Sequence, residues 1–120
     1  MKNFSFSRDE KLKKYSQIKP VLTNGRKYCG TFAHLYVRTN SASITRLGIV
    51  VLTSKSFRGR AVQRNKVKRL VREFYRLNKC SMVKGVDIVF KVFLSSVAYR
   101  HDDVKTNAFN LCEKAGILKI

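Results

Sequence analysis

The chain has few of the residues that interrupt or cross-link a fold. Its 120 residues include one proline, six glycines, three cysteines and no tryptophan. Because no proline- or glycine-rich stretch separates two parts, we expect a single domain over residues 1–120, with residues 1–14 forming a flexible basic tail. No apolar run approaches the roughly 20 residues of a membrane-spanning helix, and the N-terminal stretch has no signal-peptide core. We expect a soluble protein of the cytoplasm.

The cysteines do not form a metal-binding or disulfide pattern. Cys29, Cys80 and Cys112 are far apart in the sequence, and no pair has the C-x-x-C spacing of zinc sites and thiol exchange. A protein of the cytoplasm also keeps its thiols reduced. We therefore expect buried, reduced cysteines and no metal bound by the protein.

Acidic residues are scarce as well. Seven Asp and Glu stand against 26 Lys and Arg, which gives a formal net charge of +19. A small body with this charge repels itself unless a polyanion offsets the repulsion. The charge indicates a nucleic-acid partner first and an anionic membrane second. About half of it lies in residues 55–79, where Glu73 is the single acid.

The first part of the chain predicts a short helix followed by strands. Ser16 is the expected N-cap, Pro20 falls in the first turn, and Gly25 is expected to end the helix with a positive φ. Residues 32–38 alternate between apolar and polar side chains, which is typical of a strand. Residues 47–53 are continuously apolar, as in a strand that is covered on both faces.

The second part predicts a long helix, a strand and a final helix. The helix covers residues 61–78, the strand covers 85–94, and the last helix begins at Asp102 or Asp103 as N-cap. The expected fold class is α+β: a single-domain sandwich in the order α-β-β-β-α-β-α, with helices packed on one mixed sheet.

The long helix has one cationic face and one apolar face. On a helical wheel the cationic face contains Arg64, Asn65, Lys68, Arg69, Arg72 and Arg76, and the apolar face contains Val67, Leu70, Val71, Phe74 and Leu77. A solvated surface helix usually mixes charges of both signs, whereas this face has almost none that are negative. Because the arginine fork suits bidentate contact with phosphate, we interpret the face as a nucleic-acid contact.

The same helix resembles a known signature. Arg64-Asn65-Lys66-x-Lys68-Arg69-x-x-Arg72-Glu73, after a strand and a basic loop with Ser54-Lys55 and Gly59, resembles the signature helix of the bacterial ribonuclease P protein component. Leu35-Tyr36 and Gly85-x-Asp87-Ile88-Val89 look like further landmarks of that family in the right order.

The resemblance implies a fold and a function. It implies a ribosomal S5 domain 2-like fold, with a mixed four-stranded sheet and a left-handed β-α-β crossover around the basic helix. Such proteins bind a large catalytic RNA and the 5′ leader of precursor tRNA, and the ribonucleoprotein removes that leader. The resemblance also implies that the RNA subunit carries out the hydrolysis with Mg²⁺, which is bound mainly by the RNA. No protein side chain is then catalytic.

Two groups of site residues follow from the resemblance. The expected contacts to the catalytic RNA are Arg64, Asn65, Lys66, Lys68, Arg69, Arg72 and Arg76, and the expected lining of the leader-binding cleft is Ile18, Leu22, Tyr36, Lys55 and Phe90. Lys66 stands where the family usually has arginine, which keeps the charge but loses the fork. Ile18 and Leu22 stand where phenylalanines are common, which leaves Tyr36 or a sheet phenylalanine to stack on bases.

Other classes of protein fit the residues less well. A ribosomal or general structured-RNA-binding protein would share the charge and the fold and is the main alternative. A protein nuclease lacks support because His34 and His101 are isolated and Asp102-Asp103 are expected helix caps. A DNA-binding helix-turn-helix needs a helix just before the recognition helix, where this chain has a strand and a loop. We expect no DNA and no membrane partner.

Overall fold

The computed structural model describes residues 11–12, 14–30, 33–40, 44–53, 60–78, 81–94 and 101–117. These ranges contain three helices and four strands: α1 (Tyr15–Asn24), β1 (Arg26–Cys29), β2 (Ala33–Thr39), β3 (Arg46–Thr53), α2 (Arg60–Asn78), β4 (Val86–Leu94) and α3 (His101–Lys114). The predicted order α-β-β-β-α-β-α is confirmed. Within the described ranges, none of the helices is long and apolar enough to cross a bilayer.

The four strands form one mixed sheet in the order β1-β2-β4-β3. β2 pairs with β1 and β4 in antiparallel fashion, and β3 runs parallel to β4. A parallel connection needs a crossover, and α2 provides it. The topology leaves β3 at one edge of the sheet, beside the helix that carries the cationic face.

The two faces of the sheet carry separate apolar clusters. On one face, α2 and α3 cover Leu35, Leu47, Val51, Ile88, Phe90 and Val92. On the other face, α1 covers Tyr36 and Val89 with its own Ile18 and Val21. Side chains of a strand alternate between faces, so neighbouring residues such as Val89 and Phe90 belong to different clusters.

The ends of α1 differ from the prediction. The helix begins at Tyr15, and the backbone N–H of Lys14 donates to Oε1 of Gln17 at 3.2 Å, so Ser16 is a helical residue and not the N-cap. Gly25 has φ −76°, which is not the positive value that we predicted. Glycine is needed there for space, because a Cβ would collide with the carbonyl oxygen of Val21.

The face of α2 is rotated relative to the prediction. Val67, Val71 and Phe74 are buried as expected, but Leu77 is 49% exposed and Tyr75 is buried in its place at 1% exposure. The Tyr75 hydroxyl donates to the carbonyl oxygen of Thr45 at 3.0 Å, which satisfies its polar end in the core. The predicted apolar face of the helix did not include this tyrosine, because its side chain carries a polar hydroxyl.

The last helix and the cysteines also bring corrections. α3 begins at His101, so Asp102 and Asp103 lie inside its first turn and are not its N-cap. Cys112 is buried as predicted, whereas Cys29 is exposed at the end of β1. Cys80 lies outside the described residues. Ala108 and Leu111 of α3 are buried beside Cys112.

Candidate RNA-binding surface

The cationic face of α2 points away from the core. Arg64, Asn65, Lys66, Arg69 and Arg72 are exposed, and Lys68 and Arg76 are half-buried. Burial of Val67, Val71 and Phe74 fixes the rotation of the helix and therefore the direction of this face. The seven residues predicted to contact the catalytic RNA therefore all reach the surface of α2, six of them on this face and Lys66 beside exposed Leu77.

No acid in the described part of the chain neutralises this face. The one acid of α2, Glu73, turns toward α3, where its Oε1 lies 3.6 Å from Nζ of Lys105. Like charges four residues apart on a helix repel each other by a few tenths of a kcal/mol. A ligand with closely spaced negative charges relieves that repulsion.

The cationic face continues to the exposed edge of β3. Lys68 and Arg72 border a hollow whose apolar floor contains Leu47 and Ile49 and whose far wall includes Lys11. Arg64, Asn65 and Lys68 border a second hollow with Ile49, Val50 and Val51. The surface is therefore a cationic wall beside an apolar strand.

Three residues of the predicted leader cleft meet on the other face of the sheet. Ile18 and Tyr36 are each 8% exposed and pack with half-buried Leu22 in the cluster beneath α1. They therefore hold α1 on the sheet, and their side chains are largely covered. Tyr36 is too deeply buried to be an open stacking platform.

The assignment of Phe90 to the cleft is wrong. Its side chain is 1% exposed and lies on the opposite face of the sheet, where its ring meets that of Phe74 edge-to-face at 6.4 Å between centroids. The cause is strand parity, since Phe90 shares the face of Ile88 and Val92. Lys55, the remaining predicted cleft residue, lies outside the described residues.

Four other residues lie on the same sheet face. Beyond α1, the same sheet face presents His34 of β2, Lys91 and Phe93 of β4 and Leu52 of β3. Leu52 is 44% exposed and Phe93 is 39% exposed. The His34 and Phe93 rings meet edge-to-face at 5.0 Å between centroids, and Nζ of Lys91 lies 5.7 Å from the Phe93 centroid.

Part of this arrangement has a signal in the sequence. His34 lies two residues from Tyr36, and Lys91 and Phe93 continue the alternation that begins at Val89. Because β-strand side chains alternate with a period of two, His34 shares the face of Tyr36, and Lys91 and Phe93 share the face of Val89. The pairing of Tyr36 with Val89 makes these one face. Lys91, which interrupts the apolar run 88–94, marks the point at which that face becomes accessible.

Burial and nearby cations favour the neutral form of the His34 ring. Partial burial lowers the pKa of His34 below its usual 6.5, and the charges of Lys27 and Lys91 lower it further. An imidazole in this state can stack on a base or accept a hydrogen bond. Phosphate near the two lysines would offset their effect on the ring.

The buried carboxylate of the sheet is fully engaged. Asp87 is 6% exposed and accepts hydrogen bonds from the side chains of Arg46 and Asn40. Among the described residues, no cluster of three or more His, Cys, Asp or Glu side chains is placed to hold a metal ion.

The sequence is similar to those of known proteins of one family. A family model described as ribonuclease P matches residues 6–116. A ribonuclease P protein component of Clostridium botulinum strain Langeland is 39% identical over 111 residues, covering 92% of this chain and 97% of that protein. The corresponding protein of Clostridioides difficile is 35% identical over 113 residues, covering 93% of this chain and 96% of its own length.

Solved structures match the fold. The ribonuclease P protein of Staphylococcus aureus superposes with a TM-score of 0.80 at 23% identity, covering 92% of this chain and 98% of that chain. The ribonuclease P protein of Thermotoga maritima gives a TM-score of 0.70 at 29% identity, covering 88% and 96%. The mixed four-stranded sheet with three helices is thus shared with both proteins.

Proposed function

Because the chain belongs to the ribonuclease P protein family, we propose that it binds the catalytic RNA of ribonuclease P and the 5′ leader of precursor tRNA. In this role it assists endonucleolytic removal of the leader, which leaves the mature 5′ end. The observation that carries the proposal is a pair of surfaces on one small body. One surface is a cationic helix face, and the other is a sheet face with an exposed aromatic ring beside a lysine.

The helix face suits a folded RNA. Arg64, Arg69 and Arg72 are exposed and can each place two donors on one phosphate. Asn65 adds an amide that can donate to and accept from a base edge or a 2′-hydroxyl. Lys66 supplies charge without the planar fork, so its contribution to the position of the RNA is smaller.

The sheet face suits a single strand. Phe93 and His34 offer ring surface for an unpaired base, and Lys91 lies close enough to reach the phosphate next to it. Base stacking on such a platform tolerates any sequence because every base has a π-face. That tolerance fits a leader whose sequence differs from one precursor to another.

The hydrolytic step belongs to the RNA subunit in this proposal. Mg²⁺, held mainly by RNA phosphates, would supply the activated water and stabilise the leaving oxygen. The protein's own residues bind and orient: α2 neutralises phosphates of the catalytic RNA, and the sheet face holds the leader. We place this assembly in the cytoplasm, where precursor tRNA is made and processed.

Two binding measurements test the proposal. Removing cations from α2 with Arg64→Ala and Arg69→Ala should weaken binding to the catalytic RNA and leave the preference for precursor over mature tRNA unchanged. Replacing Lys114 of α3 with alanine removes the same charge away from both surfaces and serves as the control. Affinity should fall by about 0.7–0.9 logarithmic units per neutralised phosphate for each tenfold rise in salt.

The main alternative predicts a different pattern. A general structured-RNA-binding protein would bind many folded RNAs with similar affinity and would not distinguish precursor from mature tRNA. That result would contradict the proposal and leave the fold assignment intact. A flat dependence on salt would contradict any polyanion partner.

A further inference from the structure

The outer edge of β3 is only partly paired. The strand lies at the end of the sheet order, and a short parallel bridge joins Lys11 to Leu47. In this bridge the N–H of Leu12 donates to the carbonyl oxygen of Leu47 at 2.8 Å. The chain then turns into α1, so its contact with the edge stops there. The outer edge of β3 therefore already pairs with one short segment of this chain, at Lys11 and Leu12.

Beyond this bridge, the outward main-chain groups of β3 have no strand partner among the described residues. Successive residues of a strand direct their N–H and C=O groups to opposite edges, so Ile49 and Val51 share the outward direction of Leu47. Gly48 and Val50 direct theirs toward β4. In the described part of the chain, no strand pairs with β3 on its outer side after Leu47. An exposed edge of this kind is a template for strand addition.

The two sides of this edge differ in chemistry. On the α2 side, Arg64 and Lys68 border the hollow beside Ile49 and Val51. On the α1 side, Leu52 is 44% exposed, and half-buried Val50 shares its parity. A strand added here would direct alternate side chains toward cations and toward apolar surface.

We propose that the β3 edge is a docking site for an acidic peptide in extended conformation, which adds to the sheet as a further strand. Its main chain pairs with Ile49 and Val51. Its carboxylates, on every second residue, face Arg64 and Lys68. The residues between them are apolar and cover Val50 and Leu52.

Charge decides among the possible occupants. A second copy of this chain would bring another net charge of +19 and would place its own Arg64 and Lys68 against the first pair. An acidic peptide instead neutralises them. It would also compete with the catalytic RNA for Arg64 and Lys68. This competition rests on the proposed function, whereas the docking of the peptide does not depend on it.

Hydrogen exchange on the full-length protein tests the docking. In the free protein, the amides of Ile49 and Val51 should exchange faster than those of Gly48 and Val50, which are protected by β4. The probe is a synthetic peptide of about seven residues that alternates Glu and Val. Adding it should slow exchange at Ile49 and Val51 selectively.

Two matched controls separate strand pairing from simple charge attraction. A peptide of the same composition with its glutamates and valines in separate blocks keeps the charge but cannot place carboxylates on one side. A peptide with N-methylated amides on the pairing edge keeps the side chains but loses the donors. Both should fail to slow exchange at Ile49 and Val51. Equal effects of all three peptides would overturn the proposal.

Charge reversal gives an independent test. Lys68→Glu should lower the affinity for the peptide by about fivefold or more, since it turns an attraction at the protein surface into a repulsion. Lys114→Glu makes the same change on α3 and should have little effect. In the peptide-free protein, protection of the Ile49 and Val51 amides that increases with protein concentration would show that a second copy occupies the edge. That result would contradict the proposal. Competition with the catalytic RNA is measured separately, so its failure does not affect the docking result.

Discussion

The guanidinium of Arg46 forms a two-point ion pair with the carboxylate of Asp87. Nε lies 2.7 Å from Oδ1 and Nη2 lies 2.8 Å from Oδ2. The two residues are level in the parallel register of β3 and β4, and Asn40 donates to the same carboxylate at 2.8 Å. The pair therefore fixes β3, the strand beside α2, to the central strand β4. The hydrogen bond to Asp87 raises the pKa of Arg46 above its usual value.

Removing the carboxylate should destabilise the fold. Asp87→Ala leaves Arg46 without its acceptor and Asn40 with only the carbonyl oxygen of Ile44 in a partly buried site, and we expect a loss of about 2 kcal/mol in the free energy of unfolding. Urea denaturation followed by circular dichroism measures the loss. Glu113→Ala on the exposed face of α3 is the control and should change stability by less than about 0.5 kcal/mol.

His34 should titrate below its usual range. Because burial and the charges of Lys27 and Lys91 lower its pKa in the folded state, the unfolded chain takes up the proton first as the pH falls through 6.5. Stability should therefore decrease as the pH falls below 6.5. NMR of the imidazole, assigned with His34→Gln, measures the midpoint. Lys91→Met should raise it, and a midpoint that does not move would contradict the role of that lysine.

The two described cysteines should react at very different rates. Burial raises the pKa of the Cys112 thiol to about 12, whereas Cys29 is exposed. In a Cys80→Ser background, a thiol reagent at mildly alkaline pH should label Cys29 quickly and Cys112 only after unfolding. Since unfolded Cys112 ionises near 9, stability should fall as the pH rises through 9 toward 12. Fast labelling of both thiols in the native protein would contradict the buried assignment.

Phe93 should matter for the leader and not for the catalytic RNA. Phe93→Ala removes the exposed ring and should cost about 1–3 kcal/mol in binding of precursor tRNA if one base stacks on it. Affinity for mature tRNA should stay the same. Leu77→Ala, which truncates an exposed apolar side chain on α2, is the control. Equal loss for precursor and mature tRNA would contradict a leader contact at this ring.

The element order and the cationic face could be predicted because they depend on local patterns. The stripe at Arg64, Lys68 and Arg72 follows the helical period, and burial of Val67 and Val71 on the opposite side fixes it. The continuous apolar run at 47–53 correctly indicated a strand.

The side chains that share the sheet face of Tyr36 could not be predicted so directly because that face depends on tertiary contacts. Whether Phe90 or Phe93 lies on it depends on strand parity relative to Tyr36, and that relation is set by the pairing of β2 with β4. Burial of Tyr75 depends on a carbonyl oxygen that lies 30 residues away, at Thr45. The exposure of Cys29 likewise follows from the position of β1 at the edge of the sheet.

The most direct measurement of the central claim is reconstitution of leader cleavage at low Mg²⁺. The protein is added to the catalytic RNA of its source organism, and 5′ cleavage of precursor tRNA is followed over time. We predict stimulation that is lost when Arg64→Ala and Arg69→Ala are combined and is retained in Lys114→Ala. Absence of stimulation by the unaltered protein, together with tight binding to another structured RNA, would contradict the claim.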